Sequence, residues 1–153
     1  MFYPASVQDA TNLQQDFYAA SGQMTNFLCS SSGLGSSARY SKGQLSIQSD
    51  TGPFANLNGV IAQYQGDSNV VVLQNGQPVW ASGHTLEQGC GSPTQCFMAF
   101  QGDGNLVTYY QGSPVWATNT DGRGETLRVL NQAPWIQVLD GADNVIWDTT
   151  QSD

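Results

Sequence analysis

A chain of 153 residues is long enough to bury one core and short for two, so a single folded unit is expected. Four basic residues (Arg39, Lys42, Arg123, Arg128) face 12 acidic ones, and a net charge of −8 repels phosphate backbones and anionic lipid headgroups. No apolar run is long enough to span a bilayer; 17 glycines and many Asn, Gln, Ser and Thr between short apolar runs instead suit strands joined by tight turns.

In chain order, residues 1–37 form an extension that does not share the later repeats. It lacks the basic n-region and continuous apolar h-region of a classical leader, so a soluble chain is expected, cytoplasmic or exported by another route. Ser6 and Asp9 resemble a capping box, and Val7, Ala10, Leu13 and Phe17 recur near helical spacing, which predicts one short helix. Ser30–Ser37 is loop-like, and a β domain is expected over 38–153. Leu45–Gln48 predicts the first strand. The following Gln48-Ser49-Asp50 imitates the start of the repeated motif but lacks its later residues and is set aside.

The repeat dominates the rest. QGDSNVVVLQNGQPVWAS at 65–82 aligns without a gap to QGDGNLVTYYQGSPVWAT at 101–118, a period of 36 residues. Asp103-Gly104 and Asn75-Gly76 between apolar runs predict hairpins. A third copy, traced back from Trp147, keeps the strand–turn–strand order but places Leu130, Gln132, Pro134, Ile136 and Val138 at the motif positions. A further strand is expected in the 83–96 region, for four strands per copy and about twelve in all. Trp80, Trp116 and Trp147 stand at matching places and are expected to meet as a core; an aromatic binding platform is the alternative. Trp135 has no assigned role. Cys90 and Cys96 flank the turn-forming Gly91-Ser92-Pro93-Thr94 and can close a disulfide or remain two buried thiols; Cys29 is left over. The single histidine, His84, has no partner at metal-ligand spacing, so no metal site or cofactor is expected.

The chemistry concentrates in Gln101, Asp103, Asn105, Val107 and Tyr109. On a straight strand Gln101 and Tyr109 would stand roughly 26 Å apart, beyond the reach of one sugar ring, so the Asp103-Gly104 turn must fold the segment back. A carboxylate, two amides and a phenol then gather around one small apolar residue, the mixture of donors and acceptors that sugar hydroxyls require. Asp103 and Asn105 sit in the turn, and neither is expected to carry the fold. The first copy keeps Gln65, Asp67, Asn69 and Val71 but has Leu73 in the tyrosine place, a second and weaker site. One carboxylate per motif does not suit glycoside hydrolysis, and no nucleophile–histidine pair stands at supporting spacing, so an enzyme is not expected.

QGDGNLVTY at 101–109, with the following Pro-Val-Trp-Ala-Thr-Asn-Thr, resembles the monocot bulb-type mannose-binding lectins over roughly residues 38–149. The resemblance implies a β-prism II fold, three four-stranded sheets with pseudo-threefold symmetry, and a metal-independent mannose pocket. In it Asp103 and Asn105 hold the 2-hydroxyl, Gln101 the 3-hydroxyl and Tyr109 the 4-hydroxyl, with Val107 against the ring carbons. The chain departs from the family in its extension and in Ser68, where several relatives carry a disulfide cysteine, which makes a Cys90–Cys96 bridge a local substitute. The family also implies a homodimer built by exchanging C-terminal strands, although only residues 148–153 follow Trp147 here. The expected function is recognition of mannose-containing glycans; the competing reading is a protein-interaction or antimicrobial module on the same scaffold with decayed sites.

Overall fold

The computed structural model describes residues 36–151. The helix expected near Ser6–Phe17 and Cys29 lie outside the described residues. Twelve strands follow one another: β1 (Ser37–Ser41), β2 (Leu45–Gln48), β3 (Pro53–Leu57), β4 (Val60–Tyr64), β5 (Val70–Gln74), β6 (Gln77–Ala81), β7 (Cys96–Phe100), β8 (Leu106–Tyr110), β9 (Ser113–Ala117), β10 (Thr126–Leu130), β11 (Ile136–Leu139) and β12 (Val145–Asp148). They form three four-stranded sheets in the orders β3-β4-β5-β6, β9-β8-β7-β2 and β12-β11-β10-β1, with every pairing antiparallel. This is the predicted three-sheet prism. Among the described residues the helical structure is one short 3-10 turn, Pro93–Gln95, and no helix is long and apolar enough to cross a membrane.

Alternation is clearest in two strands. In β4, Val60, Ala62 and Tyr64 are buried while Ile61 and Gln63 face outward; in β7, Cys96, Met98 and Phe100 are buried while Phe97 and Ala99 face outward. The period of two gives every sheet one face for the core and one for solvent or ligand. On the inner side the three tryptophans converge: Trp80 and Trp116 centroids lie 6.1 Å apart, Trp80 and Trp147 6.1 Å, and Trp116 and Trp147 5.8 Å, in tilted and edge-on contacts. Such edge-to-face geometry aligns the positive ring edge with the negative face of its neighbour. The tryptophans are therefore core, one from each sheet, and not a binding platform.

Two residues after each tryptophan stands a hydroxyl: Ser82, Thr118 and Thr149. Ser82 Oγ accepts from Val70 N (3.1 Å) and donates to Asn69 Oδ1 (3.0 Å). Thr118 Oγ1 repeats this with Leu106 N (3.2 Å) and Asn105 Oδ1 (3.2 Å). Thr149 Oγ1 donates instead to the carbonyl of Pro134 (2.8 Å). The hydroxyl ties the end of the tryptophan strand to the turn of its own copy.

Two expectations are corrected. No strand forms in 83–95; Gly83, Gly89 and Gly91 all adopt positive φ, Pro93 opens the 3-10 turn, and Cys90 is bonded to Cys96 with Cα atoms 5.8 Å apart. The second sheet takes its fourth strand from far upstream instead, pairing Leu45–Gln48 with Phe97–Phe100, while the strand preceding the first copy is Pro53–Leu57. The third copy is also misplaced by one residue. Leu130 N bonds Trp135 O (2.7 Å) as Gln101 N bonds Asn105 O (2.9 Å), so four residues separate the equivalent positions where the second copy has three. Val138 then faces Trp147 just as Thr108 faces Trp116 and Val72 faces Trp80. The positions matching Asn105, Val107 and Tyr109 are thus Trp135, Gln137 and Leu139, not Pro134, Ile136 and Val138, because one added turn residue reverses which side chains face the core. Trp135, packed against the core cluster, takes the asparagine's place.

Candidate functional site

The five residues of the second copy are brought together on the outer face of the second sheet. Phe100 and Leu106 end the β7–β8 ladder, and Gln101 to Asn105 turn the chain, closed by Gln101 N to Asn105 O (2.9 Å) and Gly104 N to Gln101 O (2.9 Å). Gly104 has φ +85, and a β-carbon there would lie 2.1 Å from the Gly124 carbonyl oxygen, so this corner accepts only glycine. The 118–124 loop holds the turn from the side: Gly122 N donates to Asp103 O (2.6 Å) and Thr120 Oγ1 to Gly104 O (2.7 Å).

On this corner the polar groups order one another. Asp103 Oδ1 accepts from Asn105 N (3.0 Å), which aims the carboxylate back over the turn. Gln101 Nε2 donates to both oxygens of Asp103 (3.2 and 3.3 Å), and the Tyr109 hydroxyl donates to Gln101 Oε1. Asn105 Oδ1 accepts from Thr118 Oγ1 (3.2 Å) and Thr120 N (3.2 Å), which turns its Nδ2 the other way. A phenol, two oriented amides and a carboxylate thereby present fixed lone pairs and N–H groups along one edge. Val107, 3% exposed and apart from the core cluster, lies on the outward face between Ala99 of β7 and Ala117 of β9.

One residue of this surface escaped the sequence reading. Phe97, 37% exposed, lies directly across from Tyr109 and stacks on it with centroids 4.7 Å apart and planes 16° off parallel. It braces the phenol ring from the neighbouring strand. Hairpin register would have found it, since pairing Phe100 with Leu106 places Phe97 opposite Tyr109.

The first copy rebuilds the corner but differs in the side chains beside it. Asp67 Oδ1 accepts from Asn69 N (3.0 Å), and Asn69 Oδ1 accepts from Ser82 Oγ (3.0 Å) and Gly83 N (3.0 Å). Ser68, with φ 69, stands where Gly104 stands, and its Oγ is 3.0 Å from the Tyr64 hydroxyl. Leu73 offers no hydroxyl to Gln65, Ile61 replaces Phe97, and Gln63 lies directly opposite Val71 where Ala99 faces Val107. Extending the 36-residue repeat one strand upstream exposes that Gln63/Ala99 difference. The segment containing the Cys90–Cys96 bond also crosses this corner, with Leu86 N on Asp67 O (2.8 Å) and Cys90 N on Gly66 O (2.8 Å). Gln48 is exposed opposite Phe97 and Asp50 packs beside Gly66, so Gln48-Ser49-Asp50 assembles no third corner. Among the described residues no group of three or more His, Cys, Asp or Glu side chains could hold a metal ion.

No family model matches the chain, and a search of curated proteins returns no match. Solved structures do match. A monomeric monocot mannose-binding lectin from Gastrodia elata is 28% identical with a TM-score of 0.58, covering 75% of this chain and 98% of that one. A Polygonatum cyrtonema lectin, solved with a monomannoside, is 26% identical at TM-score 0.50 over 76% of this chain and 96% of that one. The mannose-specific lectin of Dutch crocus, Crocus vernus, shares the fold at 19% identity and TM-score 0.50, over 74% of this chain and 93% of that one. The chain has the bulb-type lectin fold, β-prism II.

Proposed function

We propose that the chain is a lectin that binds mannose or mannose-containing glycans, without a metal, at Gln101, Asp103, Asn105, Val107 and Tyr109. The observation that carries this reading is the hydrogen-bonded edge running from Tyr109 through Gln101 to Asp103, with Asn105 locked beside it, over the apolar floor of Val107. A pyranose matches both parts: its hydroxyls exchange hydrogen bonds with the edge, and its C–H face covers the valine. Asp103 acts here as an acceptor, and the motif supplies no second carboxylate to flank a glycosidic bond, so binding without turnover is the reading. The mannose-binding neighbours at 28 and 26% identity support it. The first copy, Gln65, Asp67, Asn69, Val71 and Leu73, is the weaker second site. The extension outside the lectin domain is shorter than the 1–37 expected, because Ser37 of β1 already pairs with Leu130.

One shallow site is expected to bind a monosaccharide on the order of millimolar, about −4 kcal/mol, with strength gained by engaging several sites at once. Calorimetric titration with methyl α-mannoside, repeated with a chelator and with methyl α-galactoside, tests the proposal. Saturable heat with mannoside alone, unchanged by the chelator, is expected; equal response to both sugars, or to neither, removes it.

A further inference from the structure

The third sheet has lost the hydroxyl-binding corner, and its outer face carries a different chemistry. Across β1, β10, β11 and β12 the outward residues form one row, Arg39, Arg128, Gln137 and Asp148, each the register partner of the next. Gln137 stands in the place of Val107, and Arg128 in the place of Ala99. We propose that this face is a second type of ligand site, one that takes an acidic sugar through its oxyanion.

Two of the four basic residues in a chain of net charge −8 meet here, directly opposite on paired strands. Like charges so placed repel, and the arrangement lowers its energy when an anion lies between them. Among the described residues neither arginine forms a salt bridge; the ion pair there is Lys42–Glu125 (2.8 Å). Arg128 is held in place by its neighbour, with Nε (2.9 Å) and Nη2 (2.5 Å) both donating to Gln137 Oε1. Gln137 is 7% exposed, so this anchor is buried and the guanidinium plane is fixed before any ligand arrives. A guanidinium has five N–H donors, and those not spent on Gln137 suit a planar or tetrahedral oxyanion. Asp148 closes the far end of the row, roughly 10 Å from Arg128 by two strand spacings. Its Oδ1 is fixed by Thr150 N (2.8 Å) and Thr150 Oγ1 (2.5 Å). An acid at that end repels a second anionic group and accepts hydroxyls, so the fitting ligand is a sugar charged at one end and hydroxylated at the other. A carboxylate of a uronic acid or a sulfate ester supplies the charge.

The test titrates the full chain with methyl glucuronide, glucose 6-sulfate and methyl glucoside at low and high salt. At least one anionic sugar is expected to bind about ten-fold or more tightly than the glucoside and to weaken with salt; the tighter of the two identifies carboxylate or sulfate as the natural charge. Arg39→Gln, at an exposed position, should lower that binding about ten-fold and leave methyl α-mannoside binding unchanged. Arg128→Gln should abolish it, and the exposed Arg39 variant decides the matter should Arg128→Gln fail to fold. Equal binding of charged and neutral sugars, or an Arg39→Gln variant as good as the parent, overturns the proposal. The mannoside control runs separately, so loss of the mannose site leaves this result intact.

Discussion

Asn105 has two jobs that a pair of substitutions can separate. Its Oδ1 accepts from Thr120 N at 3.2 Å, and Thr120 is 1% exposed, so in Asn105→Ala that N–H loses its partner inside the protein. Thr118 Oγ1 loses one contact as well but keeps Leu106 N and Thr120 Oγ1. Stranding one buried donor costs about 2 kcal/mol, within a range of about 1–3. In a domain of this size that lowers Tm by roughly 6–12 °C. Asn105→Asp retains an acceptor at Oδ1 and removes the Nδ2 donor that faces the sugar. Its added charge beside exposed Asp103 is screened by salt, so Tm should move little. Calorimetric scanning and mannoside titration of both variants are the assays. Alanine should lower Tm and abolish binding; aspartate should abolish binding at nearly parental Tm. An Asn105→Ala protein that melts with the parent would show that the tie to the 118–120 loop does not bear the turn, and an Asn105→Asp protein that binds fully would show that Nδ2 does not meet the ligand.

Three further outcomes are expected. Thr108 is 0% exposed beside Trp116 and its hydroxyl has no partner, where the other copies have Val72 and Val138, so Thr108→Val should stabilise by about 1 kcal/mol; an unchanged or lower denaturant midpoint refutes this. Tyr40, whose hydroxyl donates to the Phe54 carbonyl, is pushed up from 10.0 to about 12 by burial. Its contribution is complete below pH 10 and fades as pH rises through about 12, a loss of roughly 2 kcal/mol that Tyr40→Phe should remove from the alkaline unfolding curve; identical slopes in parent and variant count against it. In an Asn105→Asp background, Leu73→Tyr together with Gln63→Ala should strengthen the remaining mannoside binding by about three- to ten-fold, one neutral hydrogen bond, whereas no gain in a folded variant means the first corner is closed by its covering loop.

The sequence made the strands, the turns and the tryptophan core readable because each rests on local chemistry: alternation, an Asp-Gly or Asn-Gly pair, a residue repeated at a fixed interval. The corner that gathers the candidate site residues Gln101 to Tyr109 was readable for the same reason. What escaped depends on pairing between distant strands. That Leu45–Gln48 completes the sheet of residues 96–117 has no local sign, and neither has the arginine row, whose members Arg39 and Arg128 meet only through the register of β1 and β10. The third copy failed differently: one extra turn residue changed the parity of every later position, and the apolar pattern around Ile136–Leu139 is buried on both sides, so alternation could not reveal the shift.

The unequal wiring of the three sheets sets an order of assembly. Residues 53–81 hold a whole sheet in consecutive hairpins, so its ladder can zip as soon as that stretch leaves the ribosome. The other two sheets cannot be completed so early. Ser37–Ser41 and Leu45–Gln48 are made first and must wait for Thr126–Leu130 and Cys96–Phe100, closing large loops whose entropy is lost before their contacts form. We infer a polarised route, with amide protection arising over 53–81 before it spreads, and simultaneous protection of all three sheets in pulse-labelled refolding would exclude it. The earliest-made of these strands are then the last to dock, each serving as the latch of a sheet encoded well downstream of it.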